Sequence, residues 1–446
     1  MIQTLRLFFE EKRIWVTLGG SVLFSFLLAI GVILLDTRMV NLLDYSPSFL
    51  LTSVDLSKEI LSLLAGSLFS VATFTFATML SVISFYSSNF SPRTVENFLL
   101  HKTSIQTLGV FLGGFIYCLS SLFFMRSSEN EYLVISASVA LGYALACVVY
   151  FIKFVYNVAT SIQLGTLVNK LYNEANTVMN DTINFFQEET KVNHLPDIHT
   201  LHQYPIRADR NGYVESINFN RLRALSEEYE GVLELNIRIG VFISQNEPVG
   251  TFYTNHKNGI DENNQLSGKI NRTLTYETEP SIMYDPNFAR QKLVEVALRA
   301  VSPGINDPNT AIHILRYKAL LDAKFAAIAG RFVVLGEEKN QEITKDETLR
   351  YIGCVFYDFN NFPKDLYESN WQLIHYMKED ISGVSALFDY LLTIAYKADN
   401  EKLAYIKDYS NYLYNLTSPN FSERLDQQNI DERHQRLLAI EKGISE

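Results

Sequence analysis

Four stretches of the chain carry no charged residue: 14–35, 60–92, 103–125 and 132–152, which are 22, 33, 23 and 21 residues long. A hydrocarbon layer about 30 Å thick needs about 20 helical residues at 1.5 Å each, so every run can span one. A soluble helix has to turn one face to water and rarely drops charge over such a length four times in succession. Four spanning helices follow, within an α-helical membrane domain at 1–156. The first run is longer than the roughly 7–15 residues of a secretory signal core. It ends in Leu34, Leu35 and Asp36 without a small-x-small site, so it reads as an uncleaved anchor.

Lys and Arg near the helix ends orient the bundle. Arg6, Lys12 and Arg13 precede the first run, Arg93 and Lys102 lie between the second and third, and Lys153 and Lys170 follow the fourth. The alternate loops hold Arg38, Lys58 and Arg126 among six acidic residues. Both termini are therefore expected in the cytoplasm.

Small and hydroxyl residues of the second run fall on one stripe of a helix: Gly66, Ser70, Thr73, Ala77, Ser81, Ser84 and Ser88, at steps of three and four. Two readings fit. The stripe is a packing seam, where small residues let membrane helices approach. Alternatively it lines a hydrated path in a homo-oligomer, hydroxyls replacing part of an ion's water shell, with Ser70, Thr73, Ala77, Ser81 and Ser84 as pore-lining candidates. No spanning run contains an ionisable acid or base to act as proton relay or gating charge. Gly109 and Gly113 in the third run form a Gly-x-x-x-Gly helix-packing face. Ser91, Pro92 and Arg93 read as a cap, a first-turn proline and a headgroup-facing base.

Beyond Tyr156 the pattern becomes that of a cytoplasmic α+β region. Residues 157–205 read as a helical stalk and a linker, the linker holding His194, Asp197, His199 and His202. Their spacing matches no closed structural zinc site, and the segment reads as a polar connector with no metal. Between 206 and 256 the period changes to two with Gly-rich turns, the pattern of a small β-barrel or sandwich module. The run Arg238 to Val249 resembles the second half of a biotinyl or lipoyl-type domain, with Asn246 where that family usually has glycine. Residues 192–256 contain no lysine to acylate, which excludes swinging-arm chemistry there.

The remainder, 257–446, reads as a mainly α-helical domain with a short hairpin from Arg331–Leu335 and Leu349–Phe356. Asp285-Pro286 and Asp307-Pro308 each place an N-capping carboxylate before a first-turn proline. They start helices with Ala289, Leu293, Val296 or Ala297, and Ala300 inward on one, and Ile312, Leu315, Ala319, Ala323 and Ala326 inward on the other. The turn between them, Ser302, Pro303, Gly304, Ile305, Asn306, Asp307 and Pro308, is either a rigid connector or a binding turn with Asn309, Thr310 and His313 as further polar lining. Asp307 would repel an anion at that helix terminus, so a nucleotide phosphate does not fit. The tail from Asn420 reads as a solvated helix or a frayed end.

Phe90-Ser91-Pro92-Arg93 followed by Phe98-Leu99, the run Leu108 to Gly113, and above all Ala300-Val301-Ser302-Pro303-Gly304-Ile305-Asn306-Asp307-Pro308-Asn309-Thr310-Ala311 resemble the uncharacterised bacterial membrane-protein family called domain of unknown function 2254. A leucine commonly stands there in place of Val301, and a bulkier residue in place of Asn309. The resemblance covers nearly the whole chain. It implies an integral protein of the bacterial inner membrane with a cytoplasmic C-terminal region, and no established activity.

The function classes narrow accordingly. A net charge of -11 argues against a nucleic-acid partner, and three Cys cannot form a disulfide framework. Nucleophile-elbow, Walker A, zincin and dinucleotide motifs are all missing, so no enzyme and no cofactor is expected. Two readings remain: an oligomeric channel or transporter with a cytoplasmic vestibule, or a bilayer-anchored binding or scaffold module.

Overall fold

The structure, a computed structural model, describes residues 13–37, 47–89, 102–125, 133–161, 164–198, 201–256, 265–282, 284–336 and 350–441. The Ser91-Pro92-Arg93 cap and the Phe90 to Leu99 motif lie outside them. The chain divides into two compact units, Met1–Leu167 and Val168–Glu446.

In the first unit the four uncharged runs are helices α1 (Arg13–Asp36), α2 (Val54–Asn89), α3 (Lys102–Phe124) and α4 (Ser136–Ser161). Each contains a segment long and apolar enough to cross a membrane. At 1.5 Å per residue α2 is about 54 Å long, well beyond the hydrocarbon thickness. Helix α3 is central and packs against α1, α2 and α4, around Ala29, Leu61, Leu68, Phe111, Tyr117 and Cys147. Strand β1 (Thr52–Ser53) precedes α2 and pairs antiparallel with β2 (Leu133–Val134), just before α4. The carboxylate of Asp36, at the end of α1, accepts from the Ile135 amide at 2.8 Å and from the Ser136 hydroxyl. It caps α4 across the sequence, supplying the acceptor that free N–H groups at a helix start require.

The second unit opens with α5 (Leu164–Phe185), whose residues from Val168 onward belong to it. In chain order there follow β3 (Thr190–Val192), β4 (His202–Arg207), β5 (Gly212–Ile217), α6 (Phe219–Glu228), β6 (Gly231–Leu235), β7 (Phe242–Ile243), β8 (Pro248–Thr254), α7 (Gln265–Asn271) and β9 (Leu274–Glu277). Next come α8 (Pro286–Ala300), α9 (Pro308–Ala326), β10 (Phe332–Leu335), β11 (Val355–Asp358), α10 (Phe362–Met377), α11 (Ile381–Ala395), α12 (Asn400–Thr417) and α13 (Arg424–Leu438).

The strands form a six-stranded sheet in the order β3-β10-β11-β6-β8-β4 and a three-stranded sheet in the order β7-β5-β9. Among the described residues no barrel closes. The strands of 206–256 divide between the two sheets, because β5 pairs with β9 from beyond that segment while β6 pairs in parallel with β11. Alternation marks a strand but not its partner. Strand β6 sits between two neighbours and is almost wholly buried, as is β11. The expected hairpin is present, Phe332 opposite Asp358, with its second strand starting at Val355 rather than Leu349. Asn246 takes the left-handed conformation at φ 69°, which asparagine tolerates better than most residues.

Both Asp-Pro starts are realised. Asp285 accepts from the Asn287 amide and Asp307 from the Thr310 amide, each before a first-turn proline. The inward residues expected on α8 are buried, as are Leu315, Ala319, Ala323 and Ala326 on α9, with Ile312 half-buried. Helix α9 packs on α8 and α11, and α11 packs on α13. The tail is helical over Arg424–Leu438 and packs one face, where Ile430, His434 and Leu437 of α13 are buried.

Candidate functional site

Residues singled out in the second span lie on one side of α2. Gly66, Ser70, Thr73, Ala77, Ser81 and Ser84 are all exposed within the chain. The packed side consists of Leu61, Ala65, Leu68, Ala72, Thr75, Met79 and Val82, about half a turn away at roughly 100° per residue. Among the described residues no other helix of the chain packs on the stripe. Ser70, Thr73 and Ser81 donate to the carbonyls of Gly66, Phe69 and Ala77 four residues back. Exposed Phe69, Phe74, Phe76 and Leu80 flank them.

The glycine face on α3 behaves oppositely. A Cβ at Gly109 would stand 2.8 Å from the Ser21 hydroxyl, and one at Gly113 would stand 2.4 Å from that of Ser25 and 2.7 Å from that of Tyr143. Ser25 and Tyr143 are themselves hydrogen-bonded at 2.8 Å, so Gly113 makes room for a polar link between α1 and α4.

At the turn between α8 and α9, most polar groups serve the turn itself. Ser302 bonds the Arg299 carbonyl at 2.6 Å and its own carbonyl accepts from Asn306 at 2.9 Å. Asp307 holds the backbone and hydroxyl of Thr310. Asn306 has φ 52°, and Pro303 and Gly304 form the exposed tip before Pro308 starts α9. His313 lies one turn further on and faces a different feature, the groove described below.

Beneath α9 lies a set of charges that sequence reasoning did not pick out. Lys318 and Asp322 are one helical turn apart and are buried, 0% and 2% exposed. The Lys318 ammonium donates to Asp322 at 2.5 Å, to the Tyr390 hydroxyl at 2.8 Å and to Ser369 at 3.1 Å, which uses all three of its N–H groups. Arg290 of α8 donates to the other Asp322 oxygen at 2.5 Å, and Tyr390 of α11 donates to the one that Lys318 holds. Burial alone would raise Asp322, but Lys318 and Arg290 outweigh it and hold the carboxylate at about 2. Burial, only partly opposed by Asp322, lowers the Lys318 ammonium below its ordinary value. A signal was present: Lys318 and Asp322 continue the line of Ala311 and Leu315 on the inward face, where charge does not belong unless it is paired.

Nearby, Arg238 pairs in bidentate fashion with Asp365 at 2.8 and 3.0 Å. Gly240, at φ 86°, presses its backbone so closely on Asp285 that an added Cβ would stand 1.7 Å from the carboxylate. Burial pushes Asp285 up to about 6, against the lowering influence of the Phe288 and Asn287 amides, Arg290 and Arg238. The segment that resembles a biotinyl-type domain thus supplies docking residues against α8 and α10.

On the outer side of α9 runs a groove of about 760 Å³, between α9, α11 and one residue of α13. Its walls include Ile312, His313 and Arg316 on one side, Ser382 and Asp389 on the other, and Arg433 at the edge. Tyr390, whose hydroxyl reaches Asp322, contributes to the lining. Of the four residues of the polar connector, His202 opens β4, and His199 lies outside the described residues. Among the described residues no three His, Cys, Asp or Glu side chains are grouped to hold a metal ion.

The family described as "Predicted membrane protein (DUF2254)" matches residues 11–393. An uncharacterized protein of Mycobacterium tuberculosis strain H37Rv and one of Mycobacterium bovis are each 21% identical over 290 residues, 61% of this chain. The match spans 53% of each relative, about half the length of the curated proteins it resembles. No solved structure matches. With four apolar helices, the glycine-dependent contact of α1 with α3, and a family match over most of its length, the chain belongs to the predicted membrane protein family DUF2254.

Proposed function

We propose that this is a multi-pass protein of the bacterial inner membrane, both termini cytoplasmic, that self-associates through the outward face of α2 and forms an oligomeric channel or transporter along that face. One observation supports this reading above others. Gly109 and Gly113 are occupied by contacts inside the chain, whereas Gly66 meets nothing within 4 Å and Ser70, Thr73, Ala77, Ser81 and Ser84 stay exposed. A face of small residues on a membrane helix favours close approach of a neighbour, and here that neighbour is another copy. The hydroxyls that donate to their own helix keep oxygen lone pairs free to accept from water or to face a cation.

Crosslinking and flux test the reading together. Cysteine placed at Ala77 crosslinks copies in membranes under mild oxidation, against a background of native cysteines that are all buried. Vesicles carrying the wild-type chain pass potassium or sodium, and leucine at Thr73, Ala77 and Ser81 blocks that flux without unfolding the protein. Absence of both the crosslink and the flux removes the proposal. A second reading, an anchored binding module, draws on the groove beside α9. It expects ligand binding to survive exchange of α2 for an unrelated spanning helix.

A further inference from the structure

We propose that the groove between α9, α11 and α13 is a binding site for a small organic anion, with its acidic group on Arg316 and its apolar body against Ile312 and Leu320. Four observations carry it. First, the groove's volume, about 760 Å³, lies within the range of small-molecule sites, roughly 300–1,000 Å³. Second, the cationic side chains lining it differ. Arg433 is held by Asp389 at 3.0 Å and by the Asn429 side chain at 2.7 Å. Arg316 lines the same groove with no carboxylate or hydrogen-bond partner among the described residues. A guanidinium has five donors in a fixed fork suited to a carboxylate or phosphate.

Third, the charge balance is local and opposite to that of the whole chain. The lining holds Arg316 and Arg433 against Asp389 alone, while the chain carries -11 overall. Behind Tyr390, Asp322 is shared by Lys318 and Arg290, and Asp365, which also acts on both, is itself paired with Arg238. The lining itself thus carries one net positive charge, which favours a negative group. Fourth, the lining is mixed. Ile312, Leu320 and Ala386 offer apolar contact, and Ser382 and His313 offer polar contact beside it. A simple inorganic anion would leave the apolar part unused.

The site is independent of any pore and can be tested separately. Full-length protein in detergent is titrated with para-fluorobenzoate, the neutral para-fluorobenzamide and the cationic para-fluorobenzylamine, followed by fluorine NMR. The benzoate gives a saturable response, the amide binds at least about tenfold more weakly, and the amine does not bind. Arg316→Gln, at an exposed position, leaves the circular dichroism and melting unchanged and weakens benzoate about tenfold or more. Ala386→Trp fills the groove and abolishes the response. Equal binding of benzoate and amide overturns the proposal. So does full retention in Arg316→Gln, or the lack of any saturable response from the folded wild-type protein.

Discussion

Two helices of this chain carry polar residues in a line at helical spacing, and the lines have opposite fates. On α2 the line from Gly66 to Ser84 is left uncovered by the described residues of its unit, and the hydroxyls of Ser70, Thr73 and Ser81 bond back to their own helix. On α9 Lys318 and Asp322 face inward and are completed by Arg290 and Tyr390 from two other helices. A hydroxyl can satisfy itself locally, so it sits on an apolar surface at little expense. A buried charge has no such recourse and draws partners from distant sequence. The first arrangement leaves a helix free to find a neighbour; the second fixes the helices it joins.

The contrast is most exposed to test at Asp322. Asp322→Ala leaves Lys318 and Arg290 buried without their counter-charge and lowers the stability of the second unit by about 3–5 kcal/mol in urea denaturation. Restoring stability with Lys318→Met and Arg290→Met added would show that compensation matters more than the ion pair itself. Failure of the single variant to destabilise would break the comparison.

Next in size is Asp285. The folded state holds its proton up to about pH 6, whereas an unperturbed Asp gives it up near 3.8. Its contribution is therefore fully present below about pH 4 and is lost as pH rises from there to about 6. Asp285→Asn keeps a good capping residue and removes this dependence, so it is the more stable at pH 7.5 by up to about 3 kcal/mol, with the gap closing toward pH 4. Urea midpoints across that range decide it; a gap independent of pH rejects the assignment.

In the membrane unit, Gly113→Ala crowds Ser25 and Tyr143 and costs roughly 1–3 kcal/mol, read as a lower melting temperature in detergent. Ala77→Leu on the outward line changes melting of the monomer by less than about 0.5 kcal/mol. Equal effects would mean that the α2 line is packed after all. The smallest effect is expected at His434, which bonds Ser410 at 2.9 Å. Burial depresses His434 below 6.5, so stability is present above that pH and lost as pH falls through the folded value. Protection of the α13 amides, taken as exchange relative to the intrinsic rate at each pH, should fall on acidification, and His434→Gln should flatten that fall.

Much of the scaffold was legible because its signals are local. Uncharged runs set the four spans, and Asp-Pro pairs started α8 and α9. Asn246 adopted the left-handed backbone that the comparison with glycine implied. What depended on partners was not legible. Strands β6 and β11 are joined in parallel from segments more than a hundred residues apart, and nothing in their alternation names the other. Spacing put Ser70 to Ser84 on one line but could not say whether the chain covers it. Lys318 and Asp322 sit on the inward line of Ala311 and Leu315, but nothing in that spacing names Arg290, Ser369 and Tyr390, the partners that close around them. The groove required three helices to be assembled before Arg316 acquired a setting.

The carboxylate of Asp36 gives the membrane unit an order of assembly. Its hydroxyl partner, Ser136, is synthesised 100 residues later, so a nascent chain that has inserted α1 holds an acid at the bilayer edge with nothing to bind. The bond forms only when the last span is in place, so closure of the bundle around Asp36 waits for α4.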